Sequence, residues 1–404
     1  MSKATADGIT WTSRTSAADN FWRSVTYGNG LFVAVGYSGS GNRVMTSPDG
    51  ITWTSRTSAA DNSWRSVIYG NGLFVAVSID GTNRVMTSPD GITWTSRTSA
   101  ADNNWYSVTY GNGLFVAIAG SGTGNRVMTS PDGITWTSRS SAADNQWLGV
   151  TYGNGLFVSV SYDGVGNRVM TSPDGISWTS RTPAANNQWY NVTYGNGLFV
   201  AVGITGTGNR VMTSPDGITW TSRTSAADNA WRGFVYGNGL FVAVAGSGTG
   251  NRVMTSPDGI TWTIRTSAAD NNWIGVAYGD GLFVAVAISG TGNRVMTSGE
   301  FGLAARTTAA ANAEAARVAE AAQVAAAAEA ARVTAANAAA EAARKANEQK
   351  ELIEILAIIP KIGGLSLSLG EFTQSLYSTK CVKGKATRFV KKGAKCPKGY
   401  VKKK

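Results

Sequence analysis

Ser47-Pro48-Asp49-Gly50-Ile51-Thr52-Trp53 is the stretch of sequence that decides the fold. Pro presets φ, Asp can accept hydrogen bonds from nearby backbone amides, and Gly tolerates positive φ, so Pro48-Asp49-Gly50 predicts a tight turn. The string Asp-Gly-Ile, followed by Thr or Ser and then Trp, recurs every 42 residues with a single interval of 41. Its seven copies begin at Asp7, Asp49, Asp90, Asp132, Asp174, Asp216 and Asp258. This period is typical of the blades of a β-propeller, which contain about 40–50 residues each.

Each repeat contains four predicted strands, which we name A to D. In the first complete repeat they are Trp22 to Tyr27, Leu31 to Val35, Arg43 to Ser47 and Ile51 to Arg56. Gly28-Asn29-Gly30 predicts the A–B hairpin turn, because Asn-Gly accepts the positive φ that such turns require. Strand B is apolar at every position, so we expect both of its faces to be buried. The sequence therefore predicts an all-β, seven-bladed β-propeller over residues 1–299.

The two ends of the repeat region are complementary. The region begins with a lone D strand, Ile9 to Arg14, and ends on a C strand, Arg294 to Ser298. We expect the first D strand to complete the last blade, which would close the ring and leave no exposed strand edge.

The segment Ser47 to Trp53 resembles the Asp-box of the bacterial-neuraminidase-repeat propellers, whose pattern is Ser-x-Asp-x-Gly-x-Thr-Trp. Here Gly follows Asp directly, so the box is one residue shorter. The resemblance covers the propeller and implies a sialidase-like fold with the aspartates as structural braces of the C–D turn. The aspartates that follow a Ser-Pro pair, and so belong to a complete C–D turn, are Asp49, Asp90, Asp132, Asp174, Asp216 and Asp258. Because sialidases, other glycosidases, lectins and assembly factors carry this motif, the resemblance implies no single activity.

Residue types argue against an enzyme. Residues 1–299 contain no Glu, so the Tyr/Glu nucleophile pair of the sialidases cannot be assembled. The chain contains no His, and both cysteines lie near its C-terminal end, which excludes Ser–His and Cys–His schemes and metal clusters built on these residues. We predict a non-catalytic protein without a cofactor or a metal.

Two sets of arginines recur with the repeat, namely those equivalent to Arg14 and those equivalent to Arg43. One interpretation pairs them with aspartates equivalent to Asp19 in a ring of ion pairs between blades. The alternative is a cationic collar that holds carboxylate or sulfate groups.

Comparison of the seven repeats identifies two variable patches within an otherwise nearly constant unit. One patch surrounds the Trp that begins strand A, and the other follows strand B. The candidate ligand-binding residues taken from them are Phe21, Arg23, Tyr37, Arg65, Ile79, Asp80, Tyr106, Leu148, Tyr162, Asp163, Tyr190, Ile204, Arg232, Ile274 and Ile288. In a propeller the D–A and B–C connections leave the same face, and strand A lines the central channel. We therefore expect the variable residues to cluster on one face, towards its centre. Neutral drift would favour small polar residues instead, whereas Tyr and Arg are frequent at interfaces.

The sequence after the propeller changes twice. Residues 300–360 are rich in Ala, which predicts a long helix from about Leu303 to Ile359, used as a stalk or an alanine-packed oligomer. Pairs three residues apart, Glu314/Arg317, Glu329/Arg332 and Glu341/Arg344, can meet on its surface. The apolar stripe Leu352, Ile355, Leu356 and Ile359 must pack against a partner chain or against Leu365 to Leu376.

Residues 361–404 form a Cys/Lys-rich element that resembles the C-terminal element of various bacterial repeat proteins. The whole chain has a net charge of +11, yet residues 1–299 hold 18 basic residues against 16 aspartates, so the charge belongs to the part that follows. A Cys381–Cys396 disulfide would suit an oxidising compartment. The basic residues could bind an anionic surface or serve only solubility, and no motif indicates sequence-specific nucleic-acid binding.

Several functions stay open at this point. The first is a recognition or adhesion module that binds a glycan or a protein through the D–A/B–C loop face, with the helix as spacer or oligomeriser. The others are a phage-type fibre component, an intracellular scaffold and, least favoured, a glycosidase. An extracellular or cell-surface location is favoured over others, although residues 1–7 contain no apolar signal-peptide core and no apolar run is long enough to span a membrane.

Overall fold

The computed structural model describes residues 8–298, 341, 343–348, 350, 378–391 and 394–402. The chain divides into two compact units, Met1–Ala325 and Ala326–Lys404, each of which is described by itself. The predicted domain boundaries at residues 299/300 and 360/361 lie outside the described residues.

The first unit contains seven four-stranded antiparallel sheets, the blades, in each of which strands A, B, C and D are neighbours in that order. The N-terminal strand β1 (Trp11–Arg14) belongs to the last of them. Blade 1 contains β2 (Trp22–Gly28), β3 (Leu31–Gly36), β4 (Val44–Ser47) and β5 (Thr54–Arg56). Blade 2 contains β6 (Trp64–Gly70), β7 (Leu73–Ser78), β8 (Val85–Ser88) and β9 (Thr95–Arg97). Blade 3 contains β10 (Trp105–Gly111), β11 (Leu114–Ala119), β12 (Val127–Ser130) and β13 (Thr137–Arg139).

The remaining blades repeat the same pattern. Blade 4 contains β14 (Trp147–Gly153), β15 (Leu156–Ser161), β16 (Val169–Ser172) and β17 (Thr179–Arg181). Blade 5 contains β18 (Trp189–Gly195), β19 (Leu198–Gly203), β20 (Val211–Ser214) and β21 (Thr221–Arg223). Blade 6 contains β22 (Trp231–Gly237), β23 (Leu240–Ala245), β24 (Val253–Ser256) and β25 (Thr263–Arg265). Blade 7 contains β26 (Trp273–Gly279), β27 (Leu282–Ala287) and β28 (Val295–Ser298), and β1 is its fourth strand.

Closure of the ring by β1 is confirmed. Strand β1 pairs antiparallel with β28, in a register that runs from Trp11 opposite Ser298 to Arg14 opposite Val295. The Arg14 Nε donates a hydrogen bond to the Thr297 hydroxyl at 2.9 Å. The outer edge of β28 is therefore covered by a strand from the other end of the repeat region.

The hydrophobic core lies between blades. Strand β3 is buried along its whole length, as expected from its unbroken apolar sequence. The side chains of Trp22 and Phe32 in blade 1 pack with Leu282 and Val284 of blade 7, and Trp53 joins the same cluster. Each blade thus buries its largest side chains against the preceding blade, so that a single repeat cannot complete its core alone.

The A–B turns have the predicted geometry. Asn29 has φ 48° and Gly30 has φ 71°, and the equivalent Asn-Gly pairs of the following blades share this conformation. Asp280 takes the place of Asn in blade 7, with φ 47°. These values are those of the two-residue hairpin turn that matches the twist of antiparallel strands.

The D strands are shorter than the sequence predicts. Strand D of blade 1 begins at Thr54 rather than at Ile51. The Asp49 Oδ1 accepts hydrogen bonds from the backbone N–H groups of Ile51 and Thr52, both at 2.8 Å, and from the Ser47 hydroxyl at 2.9 Å. Because the aspartate occupies these donors, the chain pairs with strand C only after the turn. The same three bonds recur at Asp90, Asp132, Asp174, Asp216 and Asp258.

Acid should weaken these turns. The backbone N–H groups of Ser177 and Ile176, with help from the Ser172 hydroxyl, hold the pKa of Asp174 below its ordinary value. A lowered pKa in the folded state means that the stabilisation is complete above the unfolded-state pKa and is lost as the pH falls through the folded-state value. Replacement of Asp174 with Asn should therefore lower the free energy of unfolding at neutral pH by at most about 1 kcal/mol, since the exposed carboxylate is screened by solvent.

Urea titrations of parent and Asp174→Asn over a range of pH check this expectation. The difference between the two proteins should shrink below about pH 4, where carboxylates become protonated. Asp280→Asn is the matched control, because the other six blades carry Asn at that position, and it should change the midpoint little. A difference that persists unchanged in acid would contradict a role for the charge.

The second unit has a small sheet. Strands β29 (Ser378–Lys383), β30 (Ala386–Lys391) and β31 (Val401–Lys402) are arranged in the order β30-β29-β31. Cys381 and Cys396 form a disulfide with their Cα atoms 5.6 Å apart.

Part of the Ala-rich segment is described as well. Residues 341, 343–348 and 350 are helical. Glu341 pairs with Lys345, at 2.8 Å between Oε1 and Nζ, rather than with Arg344, which pairs with Glu348 at 3.9 Å. The ion pairs in this segment thus join residues four apart, a spacing that also brings side chains together on one helix face. The remainder of the predicted helix, its other charge pairs, the stripe at Leu352 and the segment Leu365 to Leu376 lie outside the described residues. Among the described residues no helix is long and apolar enough to cross a membrane.

Candidate functional site

The two variable patches meet at one end of every blade. The backbone N–H of Tyr37, which follows strand B, donates to the carbonyl of Phe21, which precedes strand A, at 3.1 Å. The equivalent bonds in blades 2 to 7 are Ile79 to Ser63, Gly120 to Asn104, Tyr162 to Gln146, Ile204 to Gln188, Gly246 to Ala230 and Ile288 to Asn272. We call the end of the propeller formed by these residue pairs the variable face.

Asp80 and Asp163 brace this face. The Asp80 carboxylate accepts hydrogen bonds from the backbone N–H and the hydroxyl of Ser63, at 2.5 and 2.6 Å. Asp163 accepts from the backbone N–H of Gln146 at 2.5 Å. In blade 1 the hydroxyl of Ser38 accepts from Phe21 in the same way, and a Ser or Thr does so in blades 3, 5, 6 and 7. The sequence comparison took the two acids for ligand-binding residues, whereas these contacts give them the loop-bracing position that Ser or Thr fills elsewhere.

A central cavity of about 230 Å³ collects the variable residues of strand A. The first residue of strand A, such as Trp22, is fully buried in the blade. The second residue belongs to a β-bulge, because Trp22 lies opposite Gly36 and Ser24 lies opposite Val35, which leaves Arg23 without a partner on strand B. All seven residues at this second position line the cavity, namely Arg23, Arg65, Tyr106, Leu148, Tyr190, Arg232 and Ile274.

The cavity carries positive charge without an acidic partner in its wall. Three arginines line it, and the described lining residues include no carboxylate, histidine, cysteine or lysine. The Arg23 Nη2 donates to the Tyr190 hydroxyl at 2.6 Å, across the ring from blade 1 to blade 5. Burial, and then the charge of Arg23, lower the pKa of Arg65.

Aromatic rings hold the guanidinium groups in place. The Arg65 Cζ lies 5.3 Å from the ring centroid of Tyr37 and 5.5 Å from that of Tyr106. The Arg232 Cζ lies 5.7 Å from the Tyr190 ring, and the Arg23 Cζ lies 6.0 Å from it. These distances are within the range of cation–π attraction, so each of the three guanidinium groups has a Tyr ring beside it.

The other predicted residues lie on the variable face but not among the residues that line the cavity. Phe21 and Tyr37 contact each other, with ring centroids 5.1 Å apart, and Arg294 lies over Phe21 at 5.3 Å. The side chains that follow strand B in blades 2, 4, 5 and 7 are partly exposed. They are Ile79, Tyr162, Ile204 and Ile288.

Sequence comparison missed the third residue of strand A. Asn191 lines the cavity in blade 5, and its Nδ2 donates to the carbonyl of Arg232 at 3.1 Å. Ser24, Ser66 and Ser107 line it in blades 1 to 3. The signal was present in the repeats, because the seven blades carry Ser, Ser, Ser, Gly, Asn, Gly and Gly at this position.

The recurrent arginines outside the cavity have protein partners. Arg43 lies 3.6 Å from Asp61, and the same pairing occurs in five other blades, at 3.5 to 3.9 Å. In blade 4, Asn186 replaces the aspartate, and Arg168 donates to the carbonyl of Gly164. The arginines equivalent to Arg14 donate to a Thr hydroxyl of strand C. The ion pairs with aspartate are thus formed by the Arg43 set in six blades, whereas the Arg14 set, which was expected to join them, bonds to Thr instead. The cations of the cavity form a separate set.

The small sheet of the second unit is basic and partly apolar. Lys380 lies over the ring of Phe389 at 5.9 Å, and Arg388 lies over Tyr400 at 5.9 Å. Phe389 is 41% exposed and Val401 is 73% exposed. No group of three or more potential metal ligands occurs among the described residues of the chain.

No protein-family model matches this chain, and no curated protein matches it. Solved structures do match. A structure of YCF48 bound to D1 peptide is 16% identical, covers 75% of this chain and 99% of its own, and has a TM-score of 0.56. A streptogramin B lyase is 11% identical over 73% of this chain and 98% of its own, with a TM-score of 0.62. The virginiamycin B lyase from Staphylococcus aureus is 13% identical over 72% of this chain and 100% of its own, with a TM-score of 0.60. At these identities the likeness shows the fold alone, and by that likeness and by its seven four-stranded sheets the chain is a seven-bladed β-propeller.

Proposed function

We propose that this protein is a non-catalytic recognition module that binds its ligand through the variable face and the central cavity. One observation carries the proposal: the seven residues at the second position of strand A, which differ between otherwise repeated blades, all converge on one cavity. Neutral drift in a repeat that served the fold alone would favour small polar residues at these positions, and not Arg, Tyr, Leu and Ile. Tyr and Arg are also the residue types that dominate binding energy at interfaces.

A binding role is favoured over catalysis by the lining residues. General acid–base or covalent catalysis draws mainly on His, Glu, Asp, Lys or Cys, and none of these lines the cavity. Two similar structures are named as lyases, so the fold itself does not decide this point.

A protein ligand is favoured over a glycan. Sugars commonly pack on exposed aromatic faces, but the rings of Tyr37, Tyr106 and Tyr190 each already have a guanidinium group over them. One of the similar structures is a propeller with a bound peptide. Both arguments support a peptide segment of a partner protein as the ligand, with a glycan as the second candidate.

The test is a comparison of two libraries on the full-length protein. A displayed peptide library and a glycan array are probed with the parent and with a cavity variant in which Arg23, Arg65, Tyr106, Tyr190 and Arg232 are Ala. A matched control variant replaces Ile134, Ile176 and Ile218 with Ala, because these side chains are 42–44% exposed at the C–D turns, away from the variable face. We expect saturable peptide binding that is lost in the cavity variant and retained in the control. Binding that survives in the cavity variant, or binding only to glycans, would contradict this proposal in its site or in its ligand.

The Asp-box character of the C–D turns and the role of the second unit belong to the same proposal. The six braced turns support membership in the Asp-box class of propellers, although the box is one residue short.

The basic sheet, with Lys380, Arg388 and exposed Phe389, supports attachment to an anionic surface. Retention of the full chain on an anionic polymer should then fall steeply as the salt concentration rises. Retention that does not change with salt concentration would contradict attachment through these charges.

A further inference from the structure

We propose that the central cavity binds one anionic group, a carboxylate, sulfate or phosphate, presented by the ligand to Arg23, Arg65 and Arg232. The inference rests on the proposed function for the source of that group, but anion binding itself can be measured without knowledge of the macromolecule that carries it.

The first argument is charge balance. Six of the arginines that directly precede strand C form ion pairs with aspartates, as Arg43 does with Asp61 at 3.6 Å. The cavity arginines have no such partner, since the described lining of the cavity contains three cations and no anion. Like charges gathered in a partly buried site destabilise a protein, so such clusters are typical of sites where a ligand supplies the opposite charge.

The second argument is unused hydrogen-bonding capacity. A guanidinium group has five N–H donors and no acceptor. The Nε atoms of Arg65 and Arg232 are buried and donate to no atom in the described part of the chain. The Arg23 Nη2 already donates to the Tyr190 hydroxyl at 2.6 Å, and the Arg232 Nη1 donates to the Asn272 Oδ1 at 3.4 Å. An oxyanion in the cavity would give the remaining donors the acceptors that the protein does not provide.

The third argument is geometry. Arg65 lies near the rings of Tyr37 and Tyr106 and Arg232 lies near the ring of Tyr190, at 5.3–5.7 Å between Cζ and the ring centroids, whereas Arg23 bonds to the Tyr190 hydroxyl. A cation–π contact uses a face of the guanidinium group and leaves the N–H groups at its edges available to a ligand. The cavity volume of about 230 Å³ lies below the range of roughly 300–1,000 Å³ that is usual for pockets that bind a drug-sized ligand. That space suits a single terminal group or side chain rather than a length of polymer.

The repeat itself offers a matched variant for the test. Leu148 occupies the position of Arg65 in blade 4, so Arg65→Leu installs a side chain that this protein already accommodates at an equivalent place. Arg139→Gln is the control for loss of a positive charge elsewhere, because Arg139 ends an outer D strand and bonds only to Thr129 in the described contacts.

The experiment is calorimetric titration of the full-length protein with sulfate, phosphate and acetate, at an ionic strength held constant with chloride. We expect saturable binding of at least one of these anions to the parent and to Arg139→Gln, and an affinity at least about tenfold weaker in Arg65→Leu, the loss expected for a hydrogen bond to a charged group. The thermal midpoint of anion-free Arg65→Leu should equal or exceed that of the parent, which excludes misfolding as the cause. Absence of saturable binding to the parent, or equal binding to parent and Arg65→Leu, would overturn the inference.

Two further pairs of probes identify the source of the anion. A short peptide with a free C-terminal carboxylate is compared with its amide, and galacturonic acid is compared with galactose. If inorganic anions bind but no peptide or glycan is found for the variable face, the anion site stands and the proposed function fails. If a macromolecule binds in a way that depends on Tyr106 and Tyr190 but not on the three arginines, the proposed function stands and the anion site fails.

Discussion

Removal of residues 1–14 should lower the free energy of unfolding by at least about 3–5 kcal/mol, the cost of losing a single buried Trp from a core. The strand β1 lies within this segment, and Trp11 is only 8% exposed in a cluster with Phe283 and Met296. All four residue pairs between β1 and β28 would be lost as well. The deletion therefore opens the ring and uncovers the edge of blade 7.

An uncovered edge invites pairing with another chain. Urea unfolding followed by Trp fluorescence measures the loss of stability, and sedimentation velocity should show dimers or larger species. A chain that lacks only residues 1–7 is the control, because it keeps Gly8, whose carbonyl accepts a hydrogen bond from the Trp11 indole at 3.0 Å. A synthetic peptide of residues 8–16, added in excess, should restore the urea midpoint of the deleted protein. A monomeric deletion variant with the parent midpoint would show that closure by β1 contributes little.

Gly153→Ala should destabilise the propeller by about 3 kcal/mol or more, at the upper end of the cost of overpacking a core. A methyl group at Gly153 would lie 2.1 Å from the Cγ and 2.4 Å from the Cβ of Tyr194 in the next blade. Because the backbone fixes the position of the Tyr194 Cβ, a change of rotamer cannot relieve the clash, and the two blades must separate. The same Gly–Tyr contact joins each blade to its neighbour, from Gly28 with Tyr69 to Gly279 with Tyr27.

The control for this substitution is Gly203→Ala, at the end of a B strand. Blades 3, 6 and 7 carry Ala at the equivalent position, as Ala119 shows, and the nearest contacts of the added methyl would be 3.1 and 3.2 Å. Thermal unfolding of both variants measures the difference, with a large drop in midpoint for Gly153→Ala and almost none for Gly203→Ala. Similar midpoints for the two variants would mean that the blade interface is far more adaptable than its geometry indicates.

Sequence alone was sufficient for the architecture. The 42-residue period predicted seven blades, Asn29-Gly30 predicted the hairpin turn, and the lone D strand before the first Trp22-type residue predicted closure. Each of these features depends on interactions that are local in sequence or that repeat seven times, so periodicity reveals them. The start of strand D at Thr54 was less accessible, because it depends on which backbone donors Asp49 captures.

The site was only partly readable in the sequence. Comparison of the repeats identified Arg23, Arg65 and Arg232 as candidates, because a departure from an internal repeat is visible without any structure, and all three line the cavity. The comparison did not separate these arginines from Asp80 and Asp163. An acid that braces a loop and an acid that binds a ligand both appear in the sequence as a difference between repeats. The comparison also did not select Asn191, because the other six blades carry only the small residues Ser or Gly at this position.

What the sequence by itself determined is the fold of each blade, the number of blades and the positions that differ between them. What only the tertiary structure decided is that three arginines from blades 1, 2 and 6 share one cavity without a carboxylate in its lining, while Tyr37, Tyr106 and Tyr190 support their guanidinium groups. The physical reason is that these residues are up to 209 positions apart in the chain, from Arg23 to Arg232, and closure of the ring alone brings them together. Their mutual repulsion, and hence the case for an anionic ligand, is a property of that closed arrangement and of no single repeat.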